Sequence, residues 1–370
     1  MAFNRLYYFY NQKSLPPVDP EFLQKLDDAG ARLAEKIARL RPEKLKLSDE
    51  AAHWLLRMQQ NGGDDIRKHL TLLAWAFEPK PVSRDFVFVD HGGGFGLMSF
   101  LAREAGIPTV IHNDIFDSMC LHARIFGEAL GLSADAYICG ELADVVNWLH
   151  TRSDQTCLLV SINVIEHIYD IAAFFRDAAS LSRQHVTLVL STSANPLNPF
   201  VRRRHEQQHR EWEHCDGPHA GFVVATEARA FYKVRLDMIR AVAPSLSDQD
   251  QARLATATRG LRKADIEKCV REFLTTRAIT VAPEHPTNTC DPLTGTWEER
   301  LLDINKVEQM LKSHGFAVRV SGGYYSGRNV NPAVRTVKKC AAGMLNRLIS
   351  EMGRAGARVA PSITFHATRQ

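Results

Sequence analysis

The stretch Phe86–Phe100, FVFVDHGGGFGLMSF, joins an apolar run to a glycine-rich turn and then to a helical pattern. Its HGGG segment, His91–Gly94, matches the segment whose backbone amides form the oxyanion hole of some lipases and esterases. Taken from Asp90 onward, the same residues are an acidic group followed by alternate glycines, which is typical of a nucleotide-binding turn. The two interpretations predict a hydrolase or a cofactor-binding enzyme.

The neighbouring residues favour a cofactor site. No G-x-S-x-G nucleophile turn occurs in the 370 residues, so the esterase interpretation has no nucleophile. Gly92, Gly94 and Gly96 lie between a strand pattern and a helical pattern, where the backbone can approach a ligand and the helix N-terminus offers free N–H groups. The next strand pattern, TVIHND, ends in Asp114, whose carboxylate can accept hydrogens from both hydroxyls of a ribose.

Composition places the chain among ordinary globular proteins. The apolar fraction is 45%, and the net charge of +4 permits an anionic substrate without indicating nucleic acid. The seven cysteines are odd in number and form no CxxC pair, which favours reduced thiols in the cytoplasm over disulfides or a thiolate zinc site. No apolar run approaches the ~18 residues of a membrane span, and the N-terminus has no secretory apolar core. We therefore expect a cytoplasmic protein without a membrane partner.

The hydrophobic periodicity predicts four regions. Residues 1–80 read as an accessory helical region, for which a homodimer interface or a lid is the alternative to simple packing. Strands alternating with helices over 81–194 predict a doubly wound parallel α/β sheet. Residues 195–300 read as a substrate-binding insertion with helical pieces near 226–243 and 247–275, and 301–370 completes the sheet. Such an insertion is expected at the carboxyl edge of the sheet, where open α/β folds bind ligands.

Four segments resemble a known family. In order, DHGGGFG, NDIFDSMCLHAR, ICGELADV and LLVSINVIEHIYD are similar to motifs one to four of the class I S-adenosylmethionine-dependent methyltransferases, over residues 85–192. The segments LLDINKVEQMLKSHGFAVRVSGGYY and SITFHATR resemble the family's sixth and seventh strands. The resemblance implies a seven-stranded Rossmann-like sheet with the last strand antiparallel, an insertion between strands 5 and 6, and S-adenosyl-L-methionine as cofactor.

The resemblance also implies the cofactor contacts. His91 departs from the family, which usually has a small or apolar residue there, and Glu141 stands where Asp is commoner. The implied contacts are Asp90 towards the methionine amino group, Gly92, Gly94 and Gly96 under the sulfonium ligand, Asp114 on the ribose, Ile115 and Glu141 by the adenine, and Asn163 beside the methyl group.

Methyl transfer is an in-line displacement, so the protein aligns the acceptor and removes its proton. Glu166 and His167, in NVIEHIYD, are the candidate catalytic residues, because a histidine can act as a base at neutral pH. The alternative is that this pair caps a helix and packs. A small-molecule acceptor, methylated on oxygen or nitrogen, is the predicted substrate.

The insertion carries a second set of candidates in RRRHEQQHREWEHCDGPH, residues 202–219. We predict that Arg202, Arg203, His205 and His209 contact the acceptor, since arginines bind phosphate or carboxylate groups well. His205 and His209 also form H-E-x-x-H, the zincin pattern, but no third ligand follows at metzincin spacing. A hydrolase, either an HGGG esterase or an H-E-x-x-H zincin, is therefore the alternative from a different class of enzyme.

A faint similarity to small-RNA 2′-O-methyltransferases and ubiquinone-biosynthesis O-methyltransferases leaves a further alternative. It implies a divalent metal held by Glu166, His167 and His209, in an enzyme that modifies RNA. Asn163 stands where that family has its first metal-binding Glu, which removes one charge from the site.

Overall fold

The computed structural model describes Lys13, Leu15 and residues 17–77, 86–151, 155–217, 229–325 and 332–369. The helices of this part of the chain are α1 Pro20–Arg39, α2 Asp49–Asn61, α3 Gly63–Ala76, α4 Leu97–Glu104, α5 Asp117–Leu130, α6 Leu142–His150, α7 Ile171–Ala179, α8 Pro199–His214, α9 Phe231–Val242, α10 Asp248–Ala257, α11 Lys263–Thr276, α12 Ile304–Ser313 and α13 Pro332–Met352.

Seven strands form one sheet in the order β3-β2-β1-β4-β5-β7-β6. The first five are parallel, and β7 runs antiparallel between β5 and β6, which confirms the expected α/β sheet with its last strand antiparallel. The strands are β1 Phe86–His91, β2 Thr109–Asp114, β3 Ala136–Cys139, β4 Thr156–Ile162, β5 Val186–Thr192, β6 Ala317–Gly322 and β7 Ile363–Arg369.

The central strand β1 is buried along its whole length, because β2 and β4 flank it and helices cover both faces of a sheet of this kind. Its register aligns Val89 with Ile111 of β2 and with Leu159 of β4. Since parallel strands end at the same edge, the residues that follow β1 and β2 lie side by side. The glycine turn and Asp114 are brought together in this way.

The N-terminal helices share a core with the sheet. Glu104, at the end of α4, is held by Arg32 and Lys36 of α1, each at 2.6 Å. Burial would raise the pKa of this carboxyl, but the hydrogen bonds from Lys36 and Arg32 outweigh it and lower the pKa. A second hydrogen bond joins the N-terminal helices to the sheet: His366 Nε2 of β7 is bonded to the Trp75 carbonyl of α3 at 2.8 Å.

The chain divides into two compact units. The sheet unit comprises Met1–Ile165, Ala172–Thr192 and Ile304–Gln370, and the inserted unit comprises Glu166–Ile171 and Ser193–Asp303. The predicted boundaries at 80, 194 and 300 remain predictions. Among the described residues, none of the helices has both the length and the apolar character that a transmembrane span requires.

The inserted unit has its own apolar core, formed by α9, α10 and α11. Its Arg235 is fully buried and binds Glu213 with two nitrogens, while Arg235 Nε donates to the Ala255 carbonyl at 3.0 Å. The single helical piece predicted over 247–275 is two helices, because Gly260 adopts φ +85° and lies against the Trp297 ring. The piece predicted over 226–243 begins at Phe231, and 226–228 lie outside the described residues.

Candidate functional site

The glycine turn after β1 is tied to the end of β2. The Gly94 N–H donates to Asp114 Oδ2 at 2.9 Å, and the Phe116 N–H donates to Asp114 Oδ1 at 3.0 Å. Gly94 has φ +52°, a left-handed conformation that favours glycine, and a Cβ placed on it would meet no atom within 4 Å. The turn therefore offers open space next to a carboxylate in a fixed orientation.

Asp114 retains acceptor capacity in this arrangement. Each carboxylate oxygen has two lone-pair sites, and the backbone amides occupy one on each oxygen. The next residue, Ile115, is 55% exposed, although its neighbours in β2 are buried. An anionic acceptor pair beside an exposed apolar side chain can bind a ribose and the face of a purine ring.

Asp90 is buried beneath the turn. Its Oδ2 accepts hydrogen bonds from the Ser99 N–H at 2.9 Å and from Ser99 Oγ at 2.7 Å, and His112 Nδ1 lies 3.7 Å away. Burial would lower the pKa of His112, but Asp90 outweighs it, with Cys120 acting in the same direction, and the pKa rises to about 9. Asp90 and His112 thus form a buried, charged support for the turn.

Gly93 closes the turn over that support. A Cβ on Gly93 would lie 2.6 Å from Asp90 Oδ2 and equally close to His112 Nδ1 and Cε1. Sequence reasoning singled out the alternate glycines and missed this one, as well as His112 and Ser99. The remaining predicted glycines pack against protein atoms, Gly92 against Val164 and Gly96 against Phe100.

His91 faces away from this support, towards α7. Its ring lies 5.2 Å from that of Phe174, and its Nδ1 is 2.6 Å from Asn113 Oδ1. The Asn113 amide donates to the carbonyls of Ile138 and Gly140, so its Oδ1 accepts and the proton is on His91 Nδ1. Burial lowers the pKa of His91, which is therefore a neutral link between the carboxyl ends of β1, β2 and β3.

Two further predicted cofactor residues lie where β3 and β4 end. Glu141 precedes α6 and forms a capping box with Asp144, whose carboxylate accepts the Glu141 N–H at 2.9 Å. Asn163 follows β4 with φ +55°, and its N–H donates to the Ser191 carbonyl at 2.7 Å. Asparagine tolerates this left-handed conformation better than most residues do.

The predicted catalytic pair belongs to the inserted unit. His167 Nδ1 donates to the Trp297 carbonyl at 2.7 Å, and the Trp297 N–H donates back to the His167 carbonyl at 3.3 Å. Glu166 is fully buried, and its carbonyl accepts the Arg300 N–H at 3.3 Å. With the proton fixed on Nδ1, Nε2 is the basic nitrogen of His167.

The candidates on α8 separate into two groups. Arg202 and Arg203 are exposed, and Arg202 Nε lies 3.7 Å from Glu206. His205 and His209 are buried, and burial lowers the pKa of both, that of His209 to about 4. His209 bonds Thr287 Oγ1 at 3.2 Å and the Glu299 carbonyl at 3.1 Å, so both of its ring nitrogens have protein partners.

These contacts bear on the metal and zincin alternatives. A zincin histidine presents a nitrogen lone pair to the metal, whereas His209 Nε2 donates to a carbonyl and Nδ1 faces a hydroxyl. Within the described ranges, no three His, Cys, Asp or Glu side chains are grouped as a metal site requires. In this arrangement both ring nitrogens of His209 are engaged by protein groups, and neither offers its lone pair to a metal.

Glu298 is a further titratable residue that the sequence did not indicate. It is only 4% exposed. Burial raises its pKa to about 7; His167 opposes this effect, and Glu299 and Asp291 add to it. A buried carboxyl that titrates near neutrality is a recurrent feature of functional sites.

Comparison with known proteins finds distant structural similarity. No family model matches the chain, and no curated protein sequence matches it. A S-adenosylmethionine-dependent methyltransferase from Mesorhizobium loti is 17% identical, covering 77% of this chain and 90% of that one, with a TM-score of 0.35. Magnesium protoporphyrin IX methyltransferase from Synechocystis, solved with bound SAH, is 13% identical over 77% and 74%, with a TM-score of 0.32. A SAM-dependent methyltransferase from Archaeoglobus fulgidus is 14% identical over 77% and 86%, with a TM-score of 0.31.

The motif resemblance implied seven strands with the last one antiparallel, and the sheet has this arrangement; the structure adds that β7 lies between β5 and β6. The sheet has the class I methyltransferase fold.

Proposed function

We propose that the protein is an S-adenosylmethionine-dependent methyltransferase that methylates an oxygen or nitrogen of a small molecule. The observation that carries this proposal is the link between Gly94 and Asp114 at the carboxyl edge of the sheet. It joins the open glycine turn of β1 to a carboxylate whose remaining lone pairs suit a ribose diol.

The residues at this edge fit the cofactor in three respects. The turn has no side chain at Gly94 to obstruct a ligand, Asp114 supplies acceptors, and Ile115 supplies an exposed apolar surface for a purine. The cofactor supplies a methyl group on a positively charged sulfur. What remains for the protein is to orient the acceptor and to remove its proton.

His167 is the proposed base of the inserted unit. Its Nδ1 proton is committed to the Trp297 carbonyl, which fixes the ring orientation and leaves Nε2 as the proton acceptor. The seven cysteines are free thiols, which supports a reducing cytoplasm as the place of action.

Isothermal titration with S-adenosylhomocysteine tests the proposal. The wild-type protein should bind it, and Asp114→Ala should weaken binding by about tenfold or more, because two hydroxyl contacts to a charged acceptor are lost. Asp28→Asn, on the exposed face of α1, is the matched control and should bind as the wild type does. Absence of binding to the wild type, or unchanged binding in Asp114→Ala, would refute the proposal.

A further inference from the structure

Phe95 carries the only side chain of the glycine turn, because every other residue from Gly92 to Gly96 is glycine. The Gly96 N–H donates to the Gly93 carbonyl at 2.9 Å, so Gly94 and Phe95 are the two central residues of a tight turn. Gly94 faces open space, whereas the Phe95 ring packs against other rings. Neighbouring elements can therefore hold this turn by the Phe95 side chain.

Three rings lie within aromatic contact distance of Phe95. The centroid of the Phe95 ring is 5.3 Å from that of Trp54 on α2, 6.1 Å from that of His122 and 6.3 Å from that of Phe126, both on α5. The rings of Trp54 and Phe126 are themselves 5.0 Å apart. Separations of about 4.5–7 Å with tilted or edge-on planes are those that aromatic pairs prefer. The turn is thus packed into a cluster that joins α2 to α5.

Hydrogen bonds fix the start of α2 against α5. Ser48 Oγ caps α2 by accepting the Ala51 N–H at 3.2 Å, and the Ser48 N–H donates to His122 Nε2 at 3.0 Å. Since Nε2 accepts, the His122 ring proton is on Nδ1, which donates to the Ser118 carbonyl at 2.6 Å. Trp54 follows within two helical turns of this cap, so the helix that carries its ring is anchored beside the cluster.

The contact with Trp54 differs in origin from the other contacts of the turn. The Gly94 N–H binds Asp114, and both residues lie in the segments of 85–192 that resemble the family motifs. Trp54 comes from the helical region 1–80, which that resemblance does not cover. Trp54 and the turn nevertheless belong to the same compact unit. An added region of the chain thus supports the turn from the side of Phe95.

We propose that Trp54 is a positioning residue of the cofactor site and acts on the glycine turn through Phe95. This inference rests on the proposed function. The turn must present the open side of Gly94 and the carboxylate of Asp114 to the cofactor in one arrangement, and a backbone held in advance loses less conformational freedom on binding. The accessory helical region thereby contributes to cofactor affinity in addition to packing on the sheet.

Trp54→Leu keeps an apolar side chain on α2 but removes the ring that contacts Phe95 and Phe126. Each aromatic pair of this kind contributes roughly a two- to tenfold factor to an equilibrium constant. Isothermal titration of the full chain with S-adenosylhomocysteine should therefore show binding about fivefold weaker than in the wild type. Trp54→Phe retains a ring at this position and should recover most of the lost affinity.

A double-mutant cycle tests whether Trp54 acts through Phe95. Phe95→Leu should weaken S-adenosylhomocysteine binding by a similar factor. The double variant, Trp54→Leu with Phe95→Leu, should bind about as tightly as Phe95→Leu alone, because the second change removes a contact that is already lost. Two losses that multiply in the double variant would show that Trp54 acts independently of Phe95 and would overturn the inference.

Leu55→Ala separates positioning from stability. Leu55 is the next residue of α2 and is fully buried in the core that the N-terminal helices share with the sheet. Its truncation should lower the urea midpoint at least as far as Trp54→Leu does, yet leave the affinity of the folded protein unchanged. Equal affinity of Trp54→Leu and the wild type, or an equal loss of affinity in Leu55→Ala, would contradict the inference and leave the proposed function intact. A wild-type protein that binds no S-adenosylhomocysteine would instead refute the proposed function.

Discussion

Gly93→Ala tests whether the turn rests directly on the buried Asp90–His112 pair. Gly93 lies outside the left-handed region, so alanine meets no backbone penalty there and the effect is steric. The added Cβ would lie 2.6 Å from the Asp90 carboxylate and from the His112 ring. Ordinary contact begins at 3.4 Å, so these groups must move by about 0.8 Å.

The cost follows from what holds those groups. Asp90 Oδ2 accepts two hydrogen bonds from Ser99, at 2.9 and 2.7 Å, and a hydrogen bond to a charged group contributes about 1.5–3 kcal/mol. Overpacking of a filled interior costs ~1–3 kcal/mol. We expect Gly93→Ala to lower the free energy of unfolding by about 2–3 kcal/mol.

Urea unfolding measures the change, with Gly63→Ala as the matched control. Gly63 is the first residue of α3, and a Cβ there meets no atom within 4 Å, so alanine should be neutral or stabilise by up to ~1 kcal/mol. Gly94→Ala should cost about 1 kcal/mol, from its left-handed backbone, and should also weaken S-adenosylhomocysteine binding. A Gly93→Ala protein within ~0.5 kcal/mol of the wild type would refute the proposed contact between the turn and the pair.

Three further predictions concern charged groups. The pKa of His112 is about 9 in the folded protein against 6.5 for a free histidine, so the stability that it contributes is complete below pH 6.5 and is lost as the pH rises through 9. Between these pH values the free energy of unfolding of the wild type, measured with urea, should fall by roughly 2–3 kcal/mol on account of His112. His112→Gln should remove this fall. Arg235→Met should cost about 3–5 kcal/mol in thermal and urea unfolding, because it leaves Glu213 buried without its partner. Cys139 is exposed, but its hydrogen bond to Asp117, with a smaller effect of burial, raises the pKa of its thiol to about 12. Because the thiolate is the reactive form, iodoacetamide at pH 8 should label Cys139 more slowly than the exposed Cys215. Asp117→Asn should accelerate the labelling of Cys139.

Each of these has a matched control on the same chain. His53→Gln replaces an exposed histidine of α2 and should leave the pH dependence of unfolding unchanged. Arg253→Met breaks an exposed pair with Asp250 and should cost no more than ~1 kcal/mol. A retained slope in His112→Gln, an Arg235→Met loss as small as that of Arg253→Met, or equal labelling of Cys139 and Cys215 would each contradict its prediction.

The sheet was predictable because its strands are apolar runs placed between amphipathic helices. The apolar run that indicates β1 ends at Val89, and the strand extends to His91. Its last two residues are polar, and they remain in the strand because Asp90 bonds Ser99 and His91 bonds Asn113. Periodicity registers burial only when the buried residue is apolar, so polar residues with distant partners are missed.

In the candidate site, too, residues marked by a local sequence signal could be predicted, and residues whose partners are distant in the chain could not. Asp114 and Gly94 could be identified because a strand end and a glycine turn are local signals. Glu298 could not, because His167, whose charge acts on the pKa of Glu298, is far away in the chain and the intervening pattern is irregular. The role of His209 in holding the Glu299 backbone was equally invisible, and its place in H-E-x-x-H drew attention to metal binding instead.

The position of β7 in the sheet has a consequence for synthesis on the ribosome. β5 ends at Thr192, and its neighbour β7 begins at Ile363, so about 170 residues must be translated before that edge is covered. At about 5–20 residues per second, the β5 edge stays unpaired for roughly 10–30 s. During that interval the inserted unit emerges in nearly one piece, with its own apolar core. If this unit folds early, the flexible loop that must close when β7 pairs with β5 becomes shorter. Until β7 arrives, the unpaired edge of β5 is the part of the nascent protein that most needs protection from aggregation.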